Sequence, residues 1–79
     1  MEMERFFKEL AKILDKPKKE INEDYVFSDT DWDSLTVMAV AASVDTIYDV
    51  VIPVKQLAKC ENVQQILDII KNQEQNSLG

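Results

Sequence analysis

An all-α fold is predicted: a small four-helix bundle of three longer helices and one short one, with a long loop between the first and second. Three observations carry this. Apolar residues recur at helical spacing in three separate segments, no two apolar runs are placed to pair as strands, and 79 residues that are 46% hydrophobic suffice for one modest core. A single domain spanning 1–79 is therefore expected.

The first helix is predicted over about 2–15. Met3, Phe6, Phe7, Leu10, Ile13 and Leu14 follow the i, i+3, i+4, i+7 pattern, with Glu4, Lys8, Glu9 and Lys12 between them. Glu4 and Lys8 have the favourable order for an i, i+4 pair. Pro17 is expected to close the element, because the residue before a proline is pushed out of helical dihedrals. Residues 16–33 form the long loop. A connection of that length needs its own side chains to tie it down, and Ile21 and Phe27 are the expected anchors.

The second helix is predicted over about 34–48, with Asp33 as N-cap and Leu35, Met38, Val44, Ile47 and Tyr48 giving the period. Its middle, Ala39 to Ser43, is rich in small residues on nearly every side. The run Val50-Val51-Ile52 has no partner strand and is followed by Pro53, so it reads as a buried connector. Pro53 suits the start of a short third helix over 53–58. The fourth helix is predicted over 62–72, opened by Asn62 with Gln65 three residues on, and carrying Val63, Ile66, Leu67 and Ile70 on one face. A polar tail, 73–79, is expected after it.

Several function classes drop out on composition. There is no His, hence no imidazole base, no triad built on one and no His-ligated zinc. The only glycine is Gly79, so no glycine-rich loop cradles a phosphate. Cys60 is alone, which removes internal disulfides and CxxC chemistry; a buried place between the third and fourth helices is expected for it. A net charge of −6 argues against a nucleic-acid partner. No apolar run is long enough for a membrane span and no signal-peptide pattern opens the sequence, so a cytoplasmic monomer is expected, with no catalytic residue of its own. The acidity is concentrated. Residues 20–54 carry eight acids and no base, whereas 1–19 carry six bases and four acids and 55–79 carry three of each.

The acids Asp29, Asp31 and Asp33 stand at alternate positions, as at the start of a calcium loop. The match then fails. The sixth position should be Gly and is Ser34; the twelfth should be Glu and is Val40, so no metal site is assigned. Asp33 and Ser34 also make an ordinary helix start, and composition alone does not reject that reading.

Asp33-Ser34-Leu35 at the start of a second helix, after a long loop, resembles the attachment motif of acyl carrier proteins. The resemblance extends without gaps to about Lys71: the pair Tyr48-Asp49, the step Ile52-Pro53, a short helix, and Val63-Gln64 opening the last helix. It implies a non-enzymatic carrier whose serine, here Ser34, is esterified with 4′-phosphopantetheine from coenzyme A by a separate phosphopantetheinyl transferase. By the same resemblance Asp33 caps the helix and helps that transferase recognise the site, and Leu35 anchors the turn in the core. The terminal thiol of the arm holds cargo as a thioester, and the further partners are acyl-loading and acyl-transferring enzymes. Val44, Ile52, Leu57, Ile66 and Leu67 are candidate acyl-pocket residues; each is equally an ordinary core residue.

One departure from the family pattern is informative. Carriers of general fatty-acid synthesis usually present several acids on the exposed face of helix two, yet residues 36–43 here carry no charge. Thr36, Ala39, Ala42, Ser43 and Thr46 are the expected partner-facing positions, read by shape and apolar contact more than by charge. This implies a dedicated carrier in a fatty-acid-like or polyketide-like pathway. A peptidyl or D-alanyl carrier, which shares fold and serine, and an unmodified helical interaction module are the alternatives.

Overall fold

The computed structural model describes residues 2–77. Four helices follow one another: α1 (Glu2–Leu14), α2 (Ser34–Tyr48), the short α3 (Val54–Ala58) and α4 (Val63–Ser77), with a 3-10 turn at Lys18–Glu20 between the first two. Among the described residues the only β-type pairing is one isolated bridge between Val26 and Asn62.

Along α1 the buried stripe is Phe6, Leu10, Ala11 and Leu14, with Phe7 and Ile13 packed at its edge and Met3 largely exposed. Phe6 meets Tyr48 of α2 edge to face, ring centroids 5.7 Å apart. The helix stops before Pro17. Asp15 turns into the left-handed region at φ 57°, its N–H donates to the Lys12 carbonyl (3.3 Å), and the Lys16 N–H donates to the Ala11 carbonyl (3.0 Å). That pair of bonds closes the helix, and Pro17 instead opens the 3-10 turn. Glu4 does not wait for Lys8 either: its carboxylate lies 3.5 Å from Lys18 Nζ, because the reversed chain brings Lys18 back beside α1.

The loop from 16 to 33 is stitched to the start of α4. Ile21 and Phe27 are buried, as expected of its anchors. The Tyr25 carbonyl accepts from the Val63 N–H (3.1 Å), the Glu23 carbonyl from the Gln64 N–H (3.0 Å), and the Phe27 N–H donates to the Glu61 carbonyl (2.9 Å). The first N–H groups of a helix lack partners of their own, so the loop satisfies donors that would otherwise be orphaned. Asn62 Oδ1 takes a third, the Gln65 N–H at 2.9 Å, and Gln65 Oε1 returns to the Glu61 N–H at 2.7 Å. Val63, Ile66 and Ile70 face inward. The helix then continues past Asn72 to Ser77, where a polar tail was predicted, since Gln and Glu are good helix formers and no Gly or Pro stops it. Leu78 and Gly79, the end of that tail, lie outside the described residues.

Two burial expectations are corrected. In α2 the inward stripe is Val37, Val40 and Val44, whereas Leu35 is 79% and Met38 56% exposed. At 100° per residue Leu35 stands on the far side of the helix from Val37, so Leu35 does not anchor the turn in the core. In the connector Val50 and Ile52 are buried but Val51 is 73% exposed, because an extended backbone alternates its side chains. Pro53 is the N-cap of α3 rather than its first residue, and Leu57 plugs the core beneath it.

Candidate functional site

The start of α2 is built by Asp33. Its backbone is extended (φ −90°, ψ 176°), and its Oδ1 accepts from the Thr36 N–H at 2.8 Å. Hydrogen bonding to the Thr36 amide first, and to the Thr36 side chain second, holds the Asp33 carboxyl below the usual carboxylate range. Its own carbonyl starts the helical ladder, accepting from the Val37 N–H at 2.9 Å. Ser34 is consequently the first helical residue, and its hydroxyl is exposed at the positive end of the helix dipole. A phosphate ester suits that position. Leu35 is exposed beside it.

The loop before Ser34 carries an aromatic cluster. Tyr25 meets Phe27 edge to face (centroids 5.9 Å), and Phe27 lies flat against Trp32 (3.8 Å, interplanar angle 6°). The Tyr25 hydroxyl donates to Asp31 Oδ2 at 3.3 Å; burial first, and the Asp31 charge second, push the phenol above its ordinary range. Asp31 and Trp32 are held in a turn by their N–H groups donating to the Ser28 carbonyl, at 3.1 and 3.0 Å. Of the acids of this turn, Asp33 therefore serves the helix backbone and Asp31 a phenol. No group of three or more potential ligands stands together among the described residues. The Trp32 Nε1–H is buried and has no hydrogen-bond partner among the described residues.

The remaining sequence-predicted residues divide by depth. Val44, Ile52, Leu57 and Ile66 are fully inside and Leu67 packs at the core edge. Cys60 is buried after α3, its Sγ 3.9 Å from the Gln56 carbonyl, and burial raises its thiol. Of the five partner-facing positions, Ala42 and Thr46 are exposed and Thr36, Ala39 and Ser43 are partly buried. Ala42, Ser43 and Thr46 meet Arg5, Glu9 and Ile47 in a groove of about 230 Å³ between α1 and α2; Thr36 and Ala39 are not part of it. Sequence reasoning missed Leu35 and Met38 as surface residues and gave Trp32 no role. The Val37-Val40-Val44 spacing, a complete i, i+3, i+7 stripe by itself, was the signal for the first two.

The structure thus combines an exposed serine at a capped helix start with four helices and an incoming loop tied to the last of them. Residues 4–70 match the family of the phosphopantetheine attachment site, and the chain belongs to that family. Domains of this family carry covalently attached 4′-phosphopantetheine and are carriers, not enzymes. No curated protein matches the chain. Among the described residues no helix is long and apolar enough to cross a membrane.

Proposed function

We propose that Ser34 is the attachment residue for 4′-phosphopantetheine and that the protein carries acyl intermediates in a dedicated, fatty-acid-like or polyketide-like pathway. The observation that carries the assignment is the exposure of the Ser34 hydroxyl at the first position of a helix whose cap, Asp33, sets where that helix begins. Asp33 orients the serine, and the first-turn N–H groups and the helix dipole favour the negative charge that the ester introduces. No basic side chain stands next to Ser34 in sequence, so activation of its hydroxyl falls to the modifying transferase. When bound, the arm supplies a terminal thiol that holds cargo as a thioester.

The dedicated character rests on α2. Leu35, Met38 and Ala42 are exposed, and Asp45 is the first acid after Asp33, so the face beside Ser34 offers apolar contact rather than a run of carboxylates. Partner enzymes docking there are selected by shape, and their affinity changes little with ionic strength.

The test is the intact mass after incubation with coenzyme A, magnesium and a broad-specificity phosphopantetheinyl transferase. A gain of one phosphopantetheine that vanishes in Ser34→Ala is expected. Folded protein with no gain, under an active transferase, refutes the assignment and leaves an unmodified interaction module.

A further inference from the structure

The approach to Ser34 is held by one ring. Among the described residues, the last backbone hydrogen bond that ties the incoming loop to another element ahead of α2 runs from the Phe27 N–H to the Glu61 carbonyl, 2.9 Å. Phe27 is buried, so it is a fixed point, and Ser34 lies seven residues beyond it. The bonds of the turn between them stay local: the Trp32 N–H donates to the Ser28 carbonyl at 3.0 Å, and the Tyr25 hydroxyl holds Asp31. Trp32 carries the fixed point forward. Its ring lies flat on Phe27, centroids 3.8 Å apart at an interplanar angle of 6°, and it lines a cavity of about 320 Å³ with Ala58 and Cys60 of the α3–α4 connection. Ring quadrupoles favour an offset or edge-to-face pair over this arrangement. The two backbones, each fixed by its own hydrogen bond, therefore hold the rings face to face, and Trp32 is clamped two residues before the serine.

We propose that Trp32 is a positioning residue for the modification of Ser34. By stacking on Phe27 it fixes the direction from which the chain enters α2, and so presents Ser34 and its cap Asp33 to the transferase in one arrangement. Transfer of a phosphoryl-type group to a hydroxyl places the attacking and leaving oxygens roughly in line, so the serine must arrive in a defined orientation. A loop ordered in advance spares the transferase the entropy of ordering it on docking. The benefit falls on association of the two proteins. Once docked, the serine meets the same chemistry whether or not the loop was ordered beforehand. The inference rests on Ser34 as the attachment residue.

Loading of the full chain is followed by intact mass with coenzyme A, magnesium and a broad-specificity phosphopantetheinyl transferase, over a range of carrier concentrations. Concentrations are counted as folded protein by helical circular dichroism, so that loss of folded chain does not raise KM. Trp32→Leu, which keeps apolar volume and loses the flat face, is expected to raise KM for the carrier roughly tenfold, the cost of ordering about one residue on docking, with kcat unchanged. Trp32→Phe, which keeps a ring to stack, is expected to restore the wild-type KM. Hydrogen exchange separates positioning from general stability. In Trp32→Leu the Thr36 amide, which Asp33 caps, is expected to exchange roughly tenfold faster while the buried Val44 amide in the same helix is unchanged. A parallel rise at both amides makes Trp32 an ordinary core residue and overturns the inference. So does an unchanged KM in Trp32→Leu alongside normal wild-type loading, and either result leaves the Ser34 assignment standing. Absence of any mass gain in the wild-type chain overturns both together.

Discussion

Asp33 does two separable things at the mouth of α2, and substitution tells them apart. As a cap it satisfies the Thr36 amide; as a charge it titrates. Its folded carboxyl is lowered relative to the unfolded chain, so its contribution is present above about pH 4 and fades as pH falls through the folded value. Asp33→Ala should lower the urea midpoint at neutral pH. Asp33→Asn should keep most of it, since Asn caps as well as Asp, while flattening the acid limb of the stability curve. An Asn variant as weak as the Ala variant would show that charge, not capping, holds the turn. At the other end of α2, Asp49 sits at φ 57° with an acid facing the negative end of the dipole. Asp49→Asn keeps a residue that tolerates this backbone and removes the opposed charge, and should add about 0.5 kcal/mol by denaturant titration.

At the level of the helices, periodicity was readable to the degree that each helix is two-faced. Charges separate the apolar positions of α1, and Phe6, Leu10 and Leu14 of the predicted stripe are buried; Phe7 and Ile13 pack only at its edge, Met3 is exposed, and Ala11 is added. The middle of α2 lacks charge, so several stripes fit its sequence equally well and Leu35 and Met38 were drawn inward in error. The solution the chain adopts uses three β-branched valines, compact enough to let α1 approach, and leaves the longer side chains outside. Val37→Ala should therefore cost about 2 kcal/mol. Leu35→Ala should stay within about 0.5 kcal/mol, whatever it does to partner binding, and the two urea midpoints compared side by side check the assignment. Helix ends were less legible. With no glycine available, aspartates at 15 and 49 adopt the left-handed turn, and nothing in an Asp marks it as a helix stop. The place of Ser34 was legible because a cap, a serine and an apolar run are local features. The setting of Trp32 was not, since it depends on Ala58 and Cys60 arriving from the distant α3–α4 connection.

For the molecule as a whole, charge and burial set opposite limits on pH and salt. A radius of gyration of 11.7 Å gathers the eight acids of residues 20–54 onto a small globule with no base among them. Their mutual repulsion is screened by salt, so the melting temperature should rise between about 0.01 M and 0.15 M salt, by calorimetry. An unchanged melting curve would place these carboxylates farther apart in effect than their sequence suggests. At alkaline pH the sign reverses. The Tyr25 phenol and Cys60 thiol are both raised in the folded chain, chiefly by burial, so each contributes stability below its unfolded range that is lost as pH climbs past about 9–10. Tyr25→Phe should make that alkaline decline shallower, read from urea midpoints across the range.

The stitching of Glu23, Tyr25 and Phe27 to residues 61–64 makes the segment leading to Ser34 a strap rather than a slack leash. Its far end is pinned to the head of α4, and the last pinned residue, Phe27, lies seven residues before the serine. A hydrolytic nick anywhere between Phe27 and Asp33 would cut this line. Both flanking pieces could stay folded, but the hydroxyl would then ride on α2 alone, with its bearing toward the rest of the domain no longer fixed.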